Sequence, residues 1–295
     1  MIYQYGVSLP GTYHLKNDIP CQDYHCYRAN VNSFNIYCVA DGLGSAKLSQ
    51  IGSELAATRA MEFCQEHLNA DMDEAALKKI IKNAFVYSAK SILERSKESN
   101  DDVREYLTTL CLVLFDRSRV IYGNAGDGGV LVLREDGLYS ALTQMQRNEE
   151  GDVYTLFAGE DHWEFGCCDK VVSVLLATDG VLCELCPPIL KNEKITINIP
   201  LVRKFMDRDE DCEESVLELQ KNVTRYLEKY PARLNDDKTV LVGFNSDKKA
   251  QELNADYYNI PNWSEAYQKM TNMISNHGND TKGKDSESNE PINND

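Results

Sequence analysis

I-Y-C-V-A-D-G-L-G-S, residues 36–45, closes an apolar run on a carboxylate followed by two glycines. Such a run bounded by turn residues reads as a buried strand. It delivers Asp41 to an edge of the core, while Gly42 and Gly44 let the backbone turn tightly and approach whatever the carboxylate holds. Strand-Asp-Gly is also an ordinary turn signal, but the chain repeats the device. Residues 123–129 read G-N-A-G-D-G-G, with Asp127 between glycines after a strand, and the apolar strand at 171–178 ends in Asp179-Gly180. The run L-N-D-D-K-T, residues 234–239, leads into a final strand at 240–244 and sets Asp237 at a strand's beginning. In an antiparallel sheet the start of one strand lies beside the end of its neighbour, so Asp237 can share an edge with Asp41 and Asp179.

The segments between these points have clear periods. A polar, turn-rich opening at 11–23 precedes strands at 24–29 and 33–40, which puts Gln22 and Asp23 at the start of a strand able to pair with the one ending at Asp41. Two amphipathic helices follow at about 48–68 and 73–93, with Asp71 or Asp73 as N-cap of the second and the polar run 94–102 ending the pair. The period then switches to short alternating runs at 107–115, 120–124, 130–134 and 138–142, an antiparallel meander. Residues 144–170 are irregular and acidic, a flap between strands, in which His162 and Trp163 read as packing. Helical periodicity returns over 181–233.

Composition excludes several classes. The net charge of −16 and the lack of a basic stripe argue against nucleic acid, whose phosphates need Lys and Arg to displace counterions. No apolar run approaches the roughly 20 residues of a membrane-spanning helix, and the start has neither a basic leader nor a long apolar segment. The ten scattered cysteines then read as reduced thiols of a cytoplasmic protein. Cys183-Glu-Leu-Cys186 has C-x-x-C spacing, but no second pair completes a zinc site.

V-A-D-G-L-G-S (39–45), L-T-T-L (107–110), G-N-A-G-D-G-G (123–129), A-T-D-G (177–180) and N-D-D-K-T (235–239), in that order, resemble the metal-dependent PP2C-type (PPM) protein serine/threonine phosphatases. Each motif is short, but the ordered set is specific and spans residues 5 to 246. The resemblance implies an α+β fold, a sandwich of two antiparallel β-sheets flanked by pairs of α-helices, with two Mn²⁺ or Mg²⁺ ions at one edge. It implies that Asp41 bridges both ions, that Gly42 offers a carbonyl, and that Asp179 and Asp237 hold the first. Asp23 matches an acidic residue near the second ion, and Asp127 a ligand of a third, weaker one. Hard divalent ions take carboxylate, carbonyl and water oxygens, and a pair of them can activate water for in-line attack on a phosphoryl group. The implied substrates are proteins phosphorylated by a serine/threonine kinase. No Cys-His or Ser-His-Asp nucleophile set competes with this reading.

The chain departs from the family at three points. Gln22 stands where many members have Glu, Leu43 where some have a proton-donating His, and the usual phosphate-gripping Arg before the acidic pair is missing. His14, Lys16 and Arg28 are candidates to replace that Arg. These departures also motivate an alternative, a silent PP2C-like module that binds phosphoproteins or partners; a small-molecule phosphatase is a further reading. The expected organisation is a phosphatase domain at 1–246, a C-terminal extension at 247–275 with a short helix from Trp263 to Ile274, and a disordered acidic tail at 276–295.

Overall fold

The apolar run at 36–40 lacks alternation because its strand is covered on both faces. A computed structural model describes residues 1–187, 197–207, 212–229 and 235–263. In it β1 is Ile2–Leu9, β2 is Asp23–Val31 and β3 is Phe34–Asp41. The meander supplies β4 (Leu110–Asp116), β5 (Arg119–Ala125), β6 (Gly129–Arg134) and β7 (Tyr139–Ala141). Then come β8 (Glu164–Cys168), β9 (Val171–Ala177) and β10 (Lys238–Asn245). One antiparallel sheet has the order β2-β3-β4-β5-β8 and the other β1-β10-β9-β6-β7.

Alternate residues of β3 serve two cores. Ile36, Cys38 and Ala40 pack with Ala56, Ala60, Leu77, Ile81 and Phe85 of α2 (Ser49–His67) and α3 (Glu74–Ser99). Tyr37 and Val39 point the other way, into a layer between the sheets with Val113, Val174, Leu176 and Leu241. The outer face of the second sheet is covered by α4 (Asp179–Leu185), α5 (Ile199–Met206) and α6 (Glu213–Lys229), through Val181, Phe205, Val216 and Leu227 among others. Each fully buried aliphatic or aromatic side chain stabilises this arrangement by about 1.5–3 kcal/mol. The expected sandwich with flanking helices is the observed one.

Several elements differ from the reading of the sequence. The first residues form an edge strand, β1, paired along its whole length with β10. The polar opening contains a short helix, α1 (Thr12–Asn17). Helix α3 is capped by the Asp73 side chain, which accepts from Ala76 N at 2.8 Å, and runs through the polar residues 94–99 to Asn100 in the left-handed conformation. Its last turns are amphipathic rather than apolar, with Ser96 buried. The flap ends in β8, which pairs with β5. The helical stretch after 180 is broken into separate helices, the first ending at Leu185, two residues before Pro187.

After β10 the chain returns across the second sheet. Gln251 N donates to Glu135 O at 2.9 Å, Tyr139 N donates to the Tyr257 hydroxyl at 2.8 Å, and the Arg203 guanidinium lies 4.4 Å from the centre of the Tyr258 ring. The expected helix beyond Trp263 and the acidic tail lie outside the described residues. Among the described residues, no helix is long and apolar enough to cross a membrane.

Candidate metal centre

The backbone of Asp41 is fixed by the L-T-T-L motif. Thr109 N and Thr108 Oγ1 both donate to the Asp41 carbonyl, each at 2.8 Å, and Asp41 N donates to Thr109 Oγ1 at 3.0 Å. The next residue must be glycine, because a Cβ at 42 would lie 2.7 Å from the carbonyl oxygens of both Gln22 and Ser49. Across the strand pair Asp23 stands directly opposite Asp41. Asp127 sits in the turn between β5 and β6, and Asp179 opens α4 immediately after β9. Two strand ends, a turn and a helix N-terminus thus converge.

One carboxylate oxygen from each of Asp41, Asp127 and Asp179 lies within 4.8 Å of the others. Buried Asp23 joins them from the side: its Oδ2 accepts from Thr178 Oγ1 at 2.7 Å, while its Oδ1 is buried without a hydrogen-bond partner among the described residues. The Oδ1 of Asp179 is also without one. Burial pushes the Asp41 carboxyl well above the usual carboxylate range, and the charges of Asp23, Asp179, Asp236 and Asp127 push it further. Asp23, Asp127 and Asp179 are likewise raised, each first by burial. Clustered carboxylates with unsatisfied oxygens are what a hard divalent cation requires, so these residues fit Mn²⁺ or Mg²⁺.

Asp237 is placed differently from the expectation. It is 2% exposed, and its Oδ1 accepts from Gly11 N and from His14 Nδ1, both at 2.7 Å, while its Oδ2 accepts from Gln22 N at 2.5 Å. Both oxygens are therefore committed to the N-terminal segment, outside the Asp41–Asp127–Asp179 group. The neighbouring Asp236, absent from the candidates read in the sequence, points the other way. Its charge acts on Asp41 and Asp127, its own carboxyl is raised by desolvation and then by Asp179, and its Cβ lies 3.6 Å from where a side chain on Gly180 would begin.

Gly180 itself is required by this approach, since a Cβ there would lie 2.0 Å from the Asp237 carbonyl oxygen. Gly180→Ala is expected to cost about 1–3 kcal/mol by overpacking, read by denaturant unfolding. An unchanged midpoint would mean that the two loops are not in this contact.

The basic candidates separate cleanly. His14 is buried and oriented by Asp237; Lys16 is exposed on α1. Arg28 is exposed and pairs with Ile36, five residues along β2 from Asp23, or roughly 16 Å at about 3.3 Å per residue. That distance removes it from the carboxylate edge. The cation the structure does bring to the edge is Arg147 of the flap, whose Nη2 contacts Asp127 and lies 2.8 Å from Asp179 Oδ2. His162 and Trp163 pack as expected, against Tyr154 and Phe85. Cys186 is buried in the core beside α4, and Cys183 is half-buried.

A two-sheet sandwich presenting converging carboxylates at one edge defines a metal-binding class of fold. The family described as protein phosphatase 2C matches residues 10–228, and the chain belongs to that family. It is 25% identical over 245 residues to serine/threonine-protein phosphatase 3 of Escherichia coli K12, covering 79% of this chain and 94% of that protein. Among solved structures it is similar to serine/threonine phosphatase Stp1 from Staphylococcus aureus, with 13% identity, a TM-score of 0.58, and 83% and 95% of the two chains covered. It is also similar to the catalytic domain of PstP in complex with two manganese ions, with 17% identity, a TM-score of 0.54, and 82% and 97% covered.

Proposed function

We propose that this chain hydrolyses phosphoserine and phosphothreonine on proteins, using water activated by two divalent ions, Mn²⁺ or Mg²⁺. The observation that carries the reading is the approach of Asp41, Asp127 and Asp179 within 4.8 Å of one another, with Asp23 opposite Asp41. Asp41, with the Gly42 carbonyl beside it, would help hold both ions. Asp179 and Asp236 would hold one of them, so that Asp236 would take the role the resemblance assigned to Asp237. Asp23, whose Oδ1 has no partner among the described residues, would help hold the other, where the neutral Gln22 would supply only a carbonyl oxygen. When bound, such ions neutralise phosphoryl oxygens and make a coordinated water acidic enough to attack.

The remaining residues position and orient. Asp237 ties Gly11, His14 and Gln22 to the start of β10, and so holds the N-terminal segment against the carboxylate edge. His14, fixed through Nδ1, takes the phosphate-facing place of the missing Arg. The ten cysteines are all free, although Cys26 and Cys38 are direct neighbours across β2 and β3; this supports a reducing, cytoplasmic setting.

The deciding experiment is phosphate release from a phosphothreonine peptide with Mn²⁺, Mg²⁺ or chelator, comparing wild type with Asp41→Asn. Metal-dependent release lost in the variant supports the reading. A folded wild type that releases nothing would leave a silent binding module. The net charge of −16 adds an expected preference: basic phosphopeptides should be turned over several-fold faster than acidic ones at low salt, with the gap closing near 0.5 M salt, where the Debye length falls to about 4 Å. Equal turnover of both at low salt would sink that expectation.

A further inference from the structure

Arg147 is the one Lys or Arg in residues 144–169, among Glu149, Glu150, Asp152, Glu160 and Asp161. Although its side chain stays partly exposed, its guanidinium pairs with the carboxylate edge rather than with them. Its hairpin is pinned to the loop that carries Asp127: Gln146 N donates to Gly126 O at 3.2 Å, and Gly126 N donates back to Gln146 Oε1 at 2.9 Å. The turn beyond is closed on itself, with Asp152 N donating to Asn148 Oδ1 at 2.7 Å and Gly151 N to Asn148 O at 3.1 Å, Gly151 taking a φ of +97°. Arg147 Nη1 donates to the Gly151 carbonyl at 3.1 Å. The guanidinium is thereby aimed, and its Nη2 reaches both Asp127 and Asp179.

We infer that Arg147 is a built-in cation at this edge, taking between Asp127 and Asp179 the place a third divalent ion would otherwise fill. The inference rests on the two-ion reading above. A guanidinium suits the role because one nitrogen, Nη2, reaches both carboxylates while Nη1 is held by the Gly151 carbonyl, it stays charged at any working pH, and it sheds water more readily than an ammonium group. It leaves Asp179 Oδ1 free toward Asp41 while occupying Oδ2. Asp127, 3% exposed, would otherwise be a buried carboxylate without a counter-charge. The chain therefore needs two ions rather than three, and its flap is fastened to the centre by the residue that replaces the third.

The test is the count of bound Mn²⁺, by calorimetric titration and by electron paramagnetic resonance of the free ion, for wild type, Arg147→Ala, Arg147→Lys and the double variant Arg147→Ala with Asp127→Asn. Wild type is expected to take up two ions. Arg147→Ala gains a third, bound at least tenfold more tightly than any third ion on wild type. Arg147→Lys, which keeps a charge but not the fork, falls between them, and the double variant loses the extra ion. Hydrogen exchange at 146–154 should quicken in Arg147→Ala. The inference is overturned if wild type already binds three ions, or if Arg147→Ala binds the same number with affinities within twofold. A wild type that binds no Mn²⁺ overturns the two-ion reading as well, which separates the two failures.

Discussion

Asp236→Asn should abolish Mn²⁺-dependent phosphate release, whereas Asp237→Asn should unsettle the fold and leave most of the metal affinity in place. The first substitution removes a carboxylate that faces Asp179 and Asp41. Losing a charged ligand from a two-metal centre forfeits several kcal/mol of transition-state stabilisation, on the order of 10²- to 10³-fold in rate. The second substitution acts elsewhere. Asp237 accepts three hydrogen bonds, and an amide in its place must turn its NH₂ toward the N–H of either Gln22 or Gly11. One charge-assisted bond is lost and two donors face each other, a cost of about 2 kcal/mol. Metal affinity should fall by about tenfold, the lower end of the roughly 10- to 100-fold range for an outer-shell partner. Calorimetric titration with Mn²⁺ and urea unfolding in chelator read the two effects separately. The reverse pattern, metal lost in Asp237→Asn and kept in Asp236→Asn, would restore Asp237 as the ligand.

That the sequence does not distinguish these two carboxylates has a physical origin. Side chains of successive residues entering a strand point to opposite sides, so one of two adjacent carboxylates must face the site and the other must turn away. No period in N-D-D-K-T says which. What decides it is Gly11, His14 and Gln22, which arrive from more than 200 positions away in the chain and claim Asp237. Asp41, at the end of β3, and Asp179, just beyond the end of β9, were legible for the opposite reason. Each follows an apolar run whose burial is local and continuous, and each precedes a glycine that a close backbone contact requires.

The same contrast explains the fold. Strand β3 and helices α2 and α3 announce themselves through their own hydrophobic patterns. Strand β1 also carries a strand's pattern, Tyr3, Tyr5, Val7 and Leu9 alternating with Gln4, Gly6 and Ser8, but its partner, β10, lies at the far end of the chain and no local signal names it. Helix α1 is too short to hold itself together, and is anchored through Gly11 and His14 to Asp237. Arg147 left one trace, a lone cation in an acidic flap. Only the pinning of Gln146 to Gly126 turns that trace into a contact with the centre.

Asp41→Asn should make the metal-free protein more stable near neutral pH while removing its Mn²⁺-dependent activity. Burial and four neighbouring carboxylates raise the Asp41 proton affinity in the folded state, while in the unfolded chain an Asp titrates near about 3.9. Between the unfolded value and the raised folded one, the native state holds more protons than the unfolded state. Stability therefore falls as pH rises through that window. Asp23, Asp127 and Asp179 are raised in the same direction and add to the slope. In chelator, the wild-type Tm should decline between pH 5 and pH 7.5, with each tenfold change in a carboxyl's proton affinity worth about 1.4 kcal/mol. Mn²⁺ should cancel the decline by supplying the missing positive charge, adding stability in proportion to the logarithm of its concentration over Kd. Asp41→Asn removes the central charge, so its metal-free Tm should be higher than wild type at pH 7.5 and flatter with pH, and Mn²⁺ should raise it little. Thermal unfolding across that pH range, with and without Mn²⁺, reads all of this. A wild-type Tm in chelator that rises from pH 5 to 7.5, or an Asp41→Asn protein less stable than wild type without metal, would show that the carboxylates are not held together against their own repulsion. If the expected pattern appears, the fold maintains a strained acidic edge whose cost is offset by the ions that give it function.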